Sequence, residues 1–314
     1  MSRPNSDKWL AALLLLRPVN LLFIALTQYL LLFQFLFPAL SAAGAPIVLE
    51  GWRALLFLFT TTLLTGAGYA MNDLYDVETD RINKPGKWLI GNRISRSAAM
   101  NLTGILLCAG ALASAFLAFE IGKPALWFIY PGAVLALLIY SRNLKGIPLA
   151  GNIFVAFLCS MVAGILWYAE REGISMLREE SPADAAQLVR GLLVYLSFAF
   201  LATFFRELVK DCEDLEGDAA AALKTLPAKI GLRRSAFGAL VLGVLLGLGL
   251  LGLSVYFLLR ENWAGMAYTL LLLTAPLAYG LWLLTKAGEP GQFRAVSRIA
   301  KWVIFAGVFL ILFL

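Results

Sequence analysis

Long apolar segments constrain the fold of this chain more than any other feature. Segments of roughly 20 mostly apolar residues, long enough to cross a lipid bilayer, recur about nine times. They cover residues 17–38, 53–71, 98–119, 124–141, 149–168, 187–208, 235–258, 264–285 and 297–314. Because 61% of the 314 residues are hydrophobic and 15% are charged, a soluble core could not bury them all. The pattern predicts an all-α polytopic membrane protein with nine transmembrane helices.

The chain is predicted to form one membrane-embedded domain over residues 1–314. No segment combines a short apolar stretch with a small-residue cleavage site, so we expect the first span to be retained. Histidine is absent, which excludes histidine-based zinc sites, haem ligation by histidine and histidine general-base chemistry. The three cysteines are scattered and indicate neither disulfides nor a metal cluster. Acid, base or metal chemistry must therefore come from carboxylates.

Lysine and arginine collect in alternate connections between the predicted spans. In membrane proteins this bias marks short cytoplasmic loops. The longest connection on the other predicted side of the membrane, residues 170–184, contains five acidic and two basic residues. We therefore expect a multi-pass inner-membrane protein whose loops at about 72–97 and 209–234 face the cytoplasm. The net charge of +6 reflects this orientation, so we expect membrane lipids as neighbours and no nucleic-acid partner. Nothing indicates an obligate protein partner.

Two acidic motifs continue the cytoplasmic ends of predicted spans. In the first, Asn72, Asp76 and Asp80 recur every four residues and are predicted to share one side of a helix. A second one-sided series comprises Glu207, Asp211, Asp214 and Asp218. The intervals from Asp76 to Asp214 and from Asp80 to Asp218 are both 138 residues, which indicates two related halves. Before the first motif, the glycines of segment 66–68 favour close approach of another helix.

Closely spaced carboxylates repel one another or recruit a cation. Magnesium takes oxygen ligands and commonly combines a few carboxylates with substrate phosphates, so the two motifs predict magnesium ions that share a diphosphate. Neighbouring cations are candidate phosphate contacts. They are Arg81, Lys84, Lys87, Arg142, Lys145, Lys210 and Lys224. The adjacent acids Asp73, Glu78, Glu213 and Glu216 are equally compatible with simple hydration away from such a site.

These motifs resemble the signatures of the UbiA superfamily of intramembrane prenyltransferases, Asn-x-x-x-Asp-x-x-x-Asp and a second Asp-x-x-x-Asp. Further segments are similar to those of the family and occur in the same order as in its members, so the resemblance covers nearly the whole chain. These segments are residues 17–20, 80–85, 140–145, 147–152 and 224–227. The second motif and residues 224–227 are most similar to the branch that transfers geranylgeranyl groups to geranylgeranylglycerol phosphate. Residues 86–92 depart from a Pro-x-Ser-Gly-like stretch found in many members, which leaves the acceptor and the lid role of this loop open.

The resemblance implies a nine-helix bundle around a lipid-accessible cavity. It implies transfer of a prenyl group from a polyprenyl diphosphate to a lipophilic acceptor, with Mg²⁺ as cofactor. Asn72, Asp76, Asp80, Asp214 and Asp218 are the expected catalytic residues, and with Asp211 they form the expected metal-binding set. Tyr140 joins the seven cations as an expected diphosphate contact, and Asn20, Asn152 and Phe205 are expected in the substrate cavity.

Other functions also fit the sequence. The acceptor is expected to be a prenylglycerol phosphate, with an aromatic, quinone-type ring as an alternative. A membrane terpene cyclase would use the same ionisation chemistry without an acceptor, and analysis of its products would distinguish it. An ion-coupled transporter would place carboxylates near the middle of broken spans. Here they lie at span ends, which argues against transport.

Overall fold

The structure, a computed structural model, describes residues 5–83 and 85–314. Within these residues every extended regular element is helical, and the only bridge between backbone segments is an isolated pair, Ile90 and Ile94. The predicted all-α class is therefore confirmed. The described chain divides into two compact units, one comprising residues 5–28, 47–83 and 85–145 and the other residues 29–46 and 146–314.

Unit 1 contains a short N-terminal helix and the helices that carry the first acidic motif. They are α1 (Asn5–Leu15), the beginning of α2 (Pro18–Ala42), α3 (Trp52–Tyr75), α4 (Val77–Asn83), α5 (Arg96–Glu120) and α6 (Leu126–Ile139). A π-helical turn, Tyr140–Leu144, continues α6. The sequence did not predict α1 as a helix separate from the first span. Arg17 separates α1 from α2 with a positive φ of 52°.

Unit 2 contains the end of α2 and the helices that carry the second acidic motif. They are α7 (Ala150–Ala169), α8 (Arg171–Glu180), α9 (Pro182–Glu213), α10 (Leu215–Ala220), α11 (Leu226–Ile230), α12 (Leu232–Leu259), α13 (Trp263–Lys286) and α14 (Pro290–Leu312). The acidic connection predicted after the fifth span is mostly the helix α8. Its Ile174 and Leu177 are buried, whereas its charged residues at both ends are exposed.

Eight of the described helices are long and apolar enough to cross a membrane. They are α2, α3, α5, α7, α9, α12, α13 and α14. The predicted fourth span corresponds to α6, which has 14 α-helical residues before the five-residue π-helical turn. The structure thus supports a polytopic membrane fold with eight clear spans, and α6 is the only predicted span outside this set.

Packing in unit 1 fixes the end of α3 from which the first motif extends. A Cβ atom at Gly68 would lie 2.7 Å from the Leu137 side chain of α6. This close contact confirms that segment 66–68 lets another helix approach. Leu15 of α1 packs in one buried cluster with Ala70 of α3 and Ile94 of the loop between α4 and α5. These contacts cover the polar end of α3 with a small apolar core.

Packing in unit 2 joins α9 to α12, α13 and α14. Phe205 is 1% exposed and belongs to the large apolar core that these helices share. A Cβ atom at Gly307 of α14 would lie 2.0 Å from the Phe198 ring of α9. Because a ring has no flexible end that can move aside, only glycine allows this approach of two helices.

Substitution of Gly307 by alanine is expected to reduce the free energy of unfolding by about 1–3 kcal/mol, because the new methyl group would overlap the Phe198 ring. Thermal unfolding in detergent measures the effect. The matched control is Gly249→Ala in α12, where a Cβ atom would meet no atom within 4 Å. Equal melting temperatures for the two variants would contradict the described packing.

Candidate functional site

Asp76 lies at a break between α3 and α4. Its φ and ψ are −91° and 9°, so α3 ends at Tyr75 and the helix resumes at Val77. The Asp76 backbone N–H donates to the Asn72 carbonyl at 3.0 Å, and the Asp80 N–H donates to the Asp76 carbonyl at 2.8 Å. The prediction of one regular helix through the motif is therefore corrected. The Thr79 hydroxyl also donates to the Asp76 carbonyl, at 2.9 Å, and such side-chain bonds compete with regular helix geometry.

The Asp76 carboxylate is buried and surrounded by donors. Asn72 Nδ2 donates to Asp76 Oδ2 at 2.6 Å, and the Lys145 ammonium pairs with Asp76 Oδ1. The Ser141 hydroxyl donates to Asn72 Oδ1 at 3.2 Å. Since Ser141 belongs to the π-helical turn and Lys145 follows it, this turn supplies both contacts. Asp76 is 9% exposed, so its negative charge needs this compensation.

Arg17 and Asp73 form an ion pair that the sequence did not reveal. Arg17 Nη2 lies 2.6 Å from Asp73 Oδ1, and its guanidinium lies 4.8 Å from the Tyr69 ring centroid. Asp73 is 8% exposed, which excludes the interpretation of this residue as a simply hydrated acid. Burial lowers the pKa of Arg17, but the Asp73 carboxylate, together with Tyr69 and Asp80, more than offsets this effect, so the pKa is raised overall.

Asp214 occupies the same kind of position in unit 2. It follows the last residue of α9 with φ and ψ of −92° and 5°. Its N–H donates to the Lys210 carbonyl at 2.9 Å, and the Asp218 N–H donates to the Asp214 carbonyl at 3.0 Å. Lys210 Nζ lies 2.7 Å from Asp214 Oδ1. Lys210 therefore contacts the aspartate four residues later, as Asn72 does in unit 1.

The other acids near the end of α9 have different partners. Asn152 Nδ2 donates to Asp211 Oδ2 at 2.9 Å, and Asn152 itself is buried. Glu213 accepts a hydrogen bond from Arg294 at 3.3 Å and pairs with Lys210 at 3.2 Å. Glu207 pairs with its neighbour Arg206 at 2.5 Å. The predicted one-sided series is thus interrupted, because α9 ends at Glu213 and several of these acids have separate cationic or amide partners.

The other predicted site residues have varied surroundings. Asp218 is 6% exposed, and Asp80, Asn20 and Tyr140 are partly buried. Exposed side chains are those of Arg81, Lys87, Arg142 and Lys224. Phe205 packs in the apolar core of unit 2 and does not face open space there. Lys84 lies outside the described residues.

Among the residues that the structure describes, the acidic motifs provide oxygen donors without a preformed metal cluster. Within the described part of either unit, no three acidic or thiol side chains converge as a ready-made metal cluster. Magnesium does not require one, since it commonly uses one or two carboxylates together with substrate phosphates and water. The carboxylates of Asp76 and Asp214 are oxygen donors already held beside cations at helix ends. Their chemistry fits a magnesium–phosphate site.

The fold and these motifs define a helical membrane protein with an acidic helix end in each of its two units. The UbiA prenyltransferase family model matches residues 30–305, so the chain belongs to this family. Digeranylgeranylglyceryl phosphate synthase from Methanothrix thermoacetophila is 34% identical over 189 residues, which are 60% of this chain and 63% of that protein. The chain thus matches somewhat less than two thirds of that relative's length.

Solved structures share the fold. One, described as digeranylgeranylglyceryl phosphate synthase in membranes, has a TM-score of 0.58 and 23% identity, with coverage of 98% of this chain and 100% of that one. A UbiA homologue from Archaeoglobus fulgidus bound to DMAPP and Mg²⁺ has a TM-score of 0.54 and 19% identity. The comparison with it covers 96% of this chain and 98% of that chain.

The ion pair of Arg17 and Asp73 is expected to stabilise unit 1. Arg17→Met and Asp73→Asn should each reduce the free energy of unfolding, and the double variant should lose less than the sum. We expect a coupling of about 1 kcal/mol, because the Arg17 side chain is 37% exposed and water weakens the pair. A double-mutant cycle from unfolding in detergent measures it. Strictly additive losses would contradict a direct interaction.

Proposed function

We propose that this protein transfers a prenyl group from a polyprenyl diphosphate to a lipophilic acceptor and releases diphosphate. The acceptor class that we propose is a prenylglycerol phosphate, since the similar proteins include a digeranylgeranylglyceryl phosphate synthase. The observation that carries the proposal is the shared geometry of Asp76 and Asp214. Each carboxylate follows the end of a long helix beside a lysine that balances its charge.

Oxygen atoms of each motif would hold magnesium. The proposed ligands are Asn72, Asp76, Asp80, Asp211, Asp214 and Asp218. The bound metal would supply positive charge that stabilises the leaving diphosphate. Support comes from the oxygen donors at both helix breaks and from the Mg²⁺-bound homologue of the same fold. Asn72 orients Asp76 through its 2.6 Å hydrogen bond, and Asn152 orients Asp211 in the same way.

Cations of the chain would complete the charge balance as the allylic carbon–oxygen bond breaks. Lys145 and Lys210 are the main candidates, because each already lies against a motif carboxylate. A diphosphate oxygen offers each ammonium a second anionic partner at the same position. Arg81, Lys87, Arg142 and Tyr140 are further proposed contacts, as is Lys84 from the sequence alone. Asn20 and Asn152 remain proposed cavity residues, whereas Phe205, 1% exposed in the core of unit 2, is proposed only to support the helices behind the cavity.

We also propose that the chain is one catalytic domain with two related halves and nine spans. The ninth span would be α6 with its π-helical turn. The matching dihedral angles of Asp76 and Asp214 support an internal repeat. The position of α5 also supports an internal repeat. When Arg96–Glu120 is shifted by 138 residues, the interval between the two motifs, it falls at 234–258, within α12 (Leu232–Leu259). The proposed location is the inner membrane with both motifs on the cytoplasmic side, as the lysine and arginine bias favours.

Asp76→Asn and Asp214→Asn are expected to lower turnover at least about 100-fold, because each removes a charge that holds the metal and the leaving diphosphate. The assay incubates purified protein with Mg²⁺, prenyl diphosphates and prenylglycerol phosphate and identifies products by mass. Matched controls are Glu78→Gln and Glu216→Gln, whose side chains are exposed in α4 and α10. Both should keep activity near that of the unsubstituted protein.

Two results would overturn the proposal. One is full activity of both aspartate variants with added magnesium. The other is a product formed from prenyl diphosphate alone, which would identify a terpene cyclase. Gel filtration in detergent should show that the aspartate variants remain folded, since asparagine preserves the shape of the side chain.

A further inference from the structure

An open pocket of about 610 Å³ lies within unit 2, directly after the second acidic motif in the chain. Lys224 and Lys229 are its only charged lining residues among those described, and the rest of its lining is glycine, proline and aliphatic side chains. None of the described lining residues is acidic. Its volume lies within the range typical of small-molecule sites. A positively charged pocket with apolar walls suits an anionic group on an apolar stem.

The pocket is built by a close approach of two loops. A Cβ atom at Gly146 would lie 3.5 Å from the Leu223 side chain and 3.6 Å from the Lys224 backbone nitrogen. Ala222, which lines the pocket, has a positive φ of 55°. Such strained backbone persists only where surrounding contacts hold it, and it is common at ligand sites. The pocket wall is therefore held in a definite shape.

The loop that contains Leu223 and Lys224 is hydrogen-bonded to the second acidic motif. The Leu223 N–H donates to the Asp218 carbonyl at 2.9 Å. Thr225 is 4% exposed, and its hydroxyl makes no hydrogen bond with any residue that the structure describes. Buried hydroxyls normally have a partner. Directly after Lys224, and next to the pocket lining in sequence, the chain thus carries a buried hydroxyl with unused hydrogen-bonding capacity.

We infer that this pocket binds the phosphate group of the acceptor, a phosphomonoester on a lipid glycerol. The inference rests on the proposed prenyl transfer and extends it to the acceptor. Two lysines balance a phosphate dianion without a metal, and the part of the lining that the structure describes contains no carboxylate that would hold one. The apolar walls accommodate the glycerol and the start of its chain. Lys224, expected from the sequence to contact diphosphate, is reassigned to the acceptor.

Steady-state kinetics test the assignment. Lys224→Ala and Lys229→Ala should each raise KM for prenylglycerol phosphate about tenfold, because each loses one charged contact to phosphate, and leave KM for prenyl diphosphate unchanged. The matched control is Arg234→Ala, an exposed cation of α12 outside the pocket lining, and it should change neither value. A rise in KM for prenyl diphosphate alone, or an unchanged acceptor KM in both lysine variants, would overturn the inference.

A binding measurement separates this inference from the proposed function. Calorimetric titration without Mg²⁺ should detect binding of a short-chain alkylglycerol phosphate to the unsubstituted protein and little binding of the same alkylglycerol without phosphate. The double variant Lys224→Ala/Lys229→Ala should bind the phosphate compound at least about tenfold more weakly. Thermal unfolding checks that the double variant is folded.

Each outcome of the titration has a defined meaning. Equal binding of inorganic phosphate and the alkylglycerol phosphate would identify a free-phosphate site and overturn the assignment, as would no binding of the lipid phosphate. Lysine-dependent binding in a protein that transfers no prenyl group would support the pocket and reject the proposed function. Normal prenyl transfer by both lysine variants would support the proposed function and overturn the assignment of the pocket.

Discussion

Charge compensation at the ends of apolar helices is the constraint on which the rest of this structure depends. Asp76 and Asp214 directly follow helices that are long and apolar enough to cross a membrane, where an uncompensated carboxylate is costly. Lys145 and Lys210 provide the compensation. In both motifs the helix breaks at the aspartate while its backbone hydrogen bonds continue, so the carboxylate is fixed in position.

The same compensation links structure to the proposed chemistry. A lysine bound to a carboxylate in the resting protein is already beside the group that would hold a magnesium–diphosphate complex. The chain therefore needs little rearrangement to present cations to a leaving group, which is the kind of preorganisation that favours charge development in a transition state. Asn72 and Asn152 add neutral hydrogen bonds that orient Asp76 and Asp211 without altering the net charge.

Local and periodic features could be predicted from the sequence. Span length and composition were enough for the all-α membrane fold, and four-residue spacing located Asn72 and Asp76, which are in contact. The close packing at Gly68 was likewise visible as a small-residue segment. Contacts between distant segments were not predictable in this way. Nothing periodic connects Arg17 with Asp73, or Asn152 with Asp211, because tertiary packing alone brings them together. The helix breaks depend on single backbone positions that spacing cannot reveal.

The central proposal is that the carboxylates of each motif are required for binding of magnesium and a prenyl diphosphate. Its most direct test is calorimetric titration of the protein in lipid nanodiscs with a prenyl diphosphate analogue whose bridging oxygen is replaced by sulfur, with and without Mg²⁺. The account predicts Mg²⁺-dependent binding to the unsubstituted protein that is lost in both Asp76→Asn and Asp214→Asn. Unchanged affinity and unchanged Mg²⁺ dependence in either variant would contradict it.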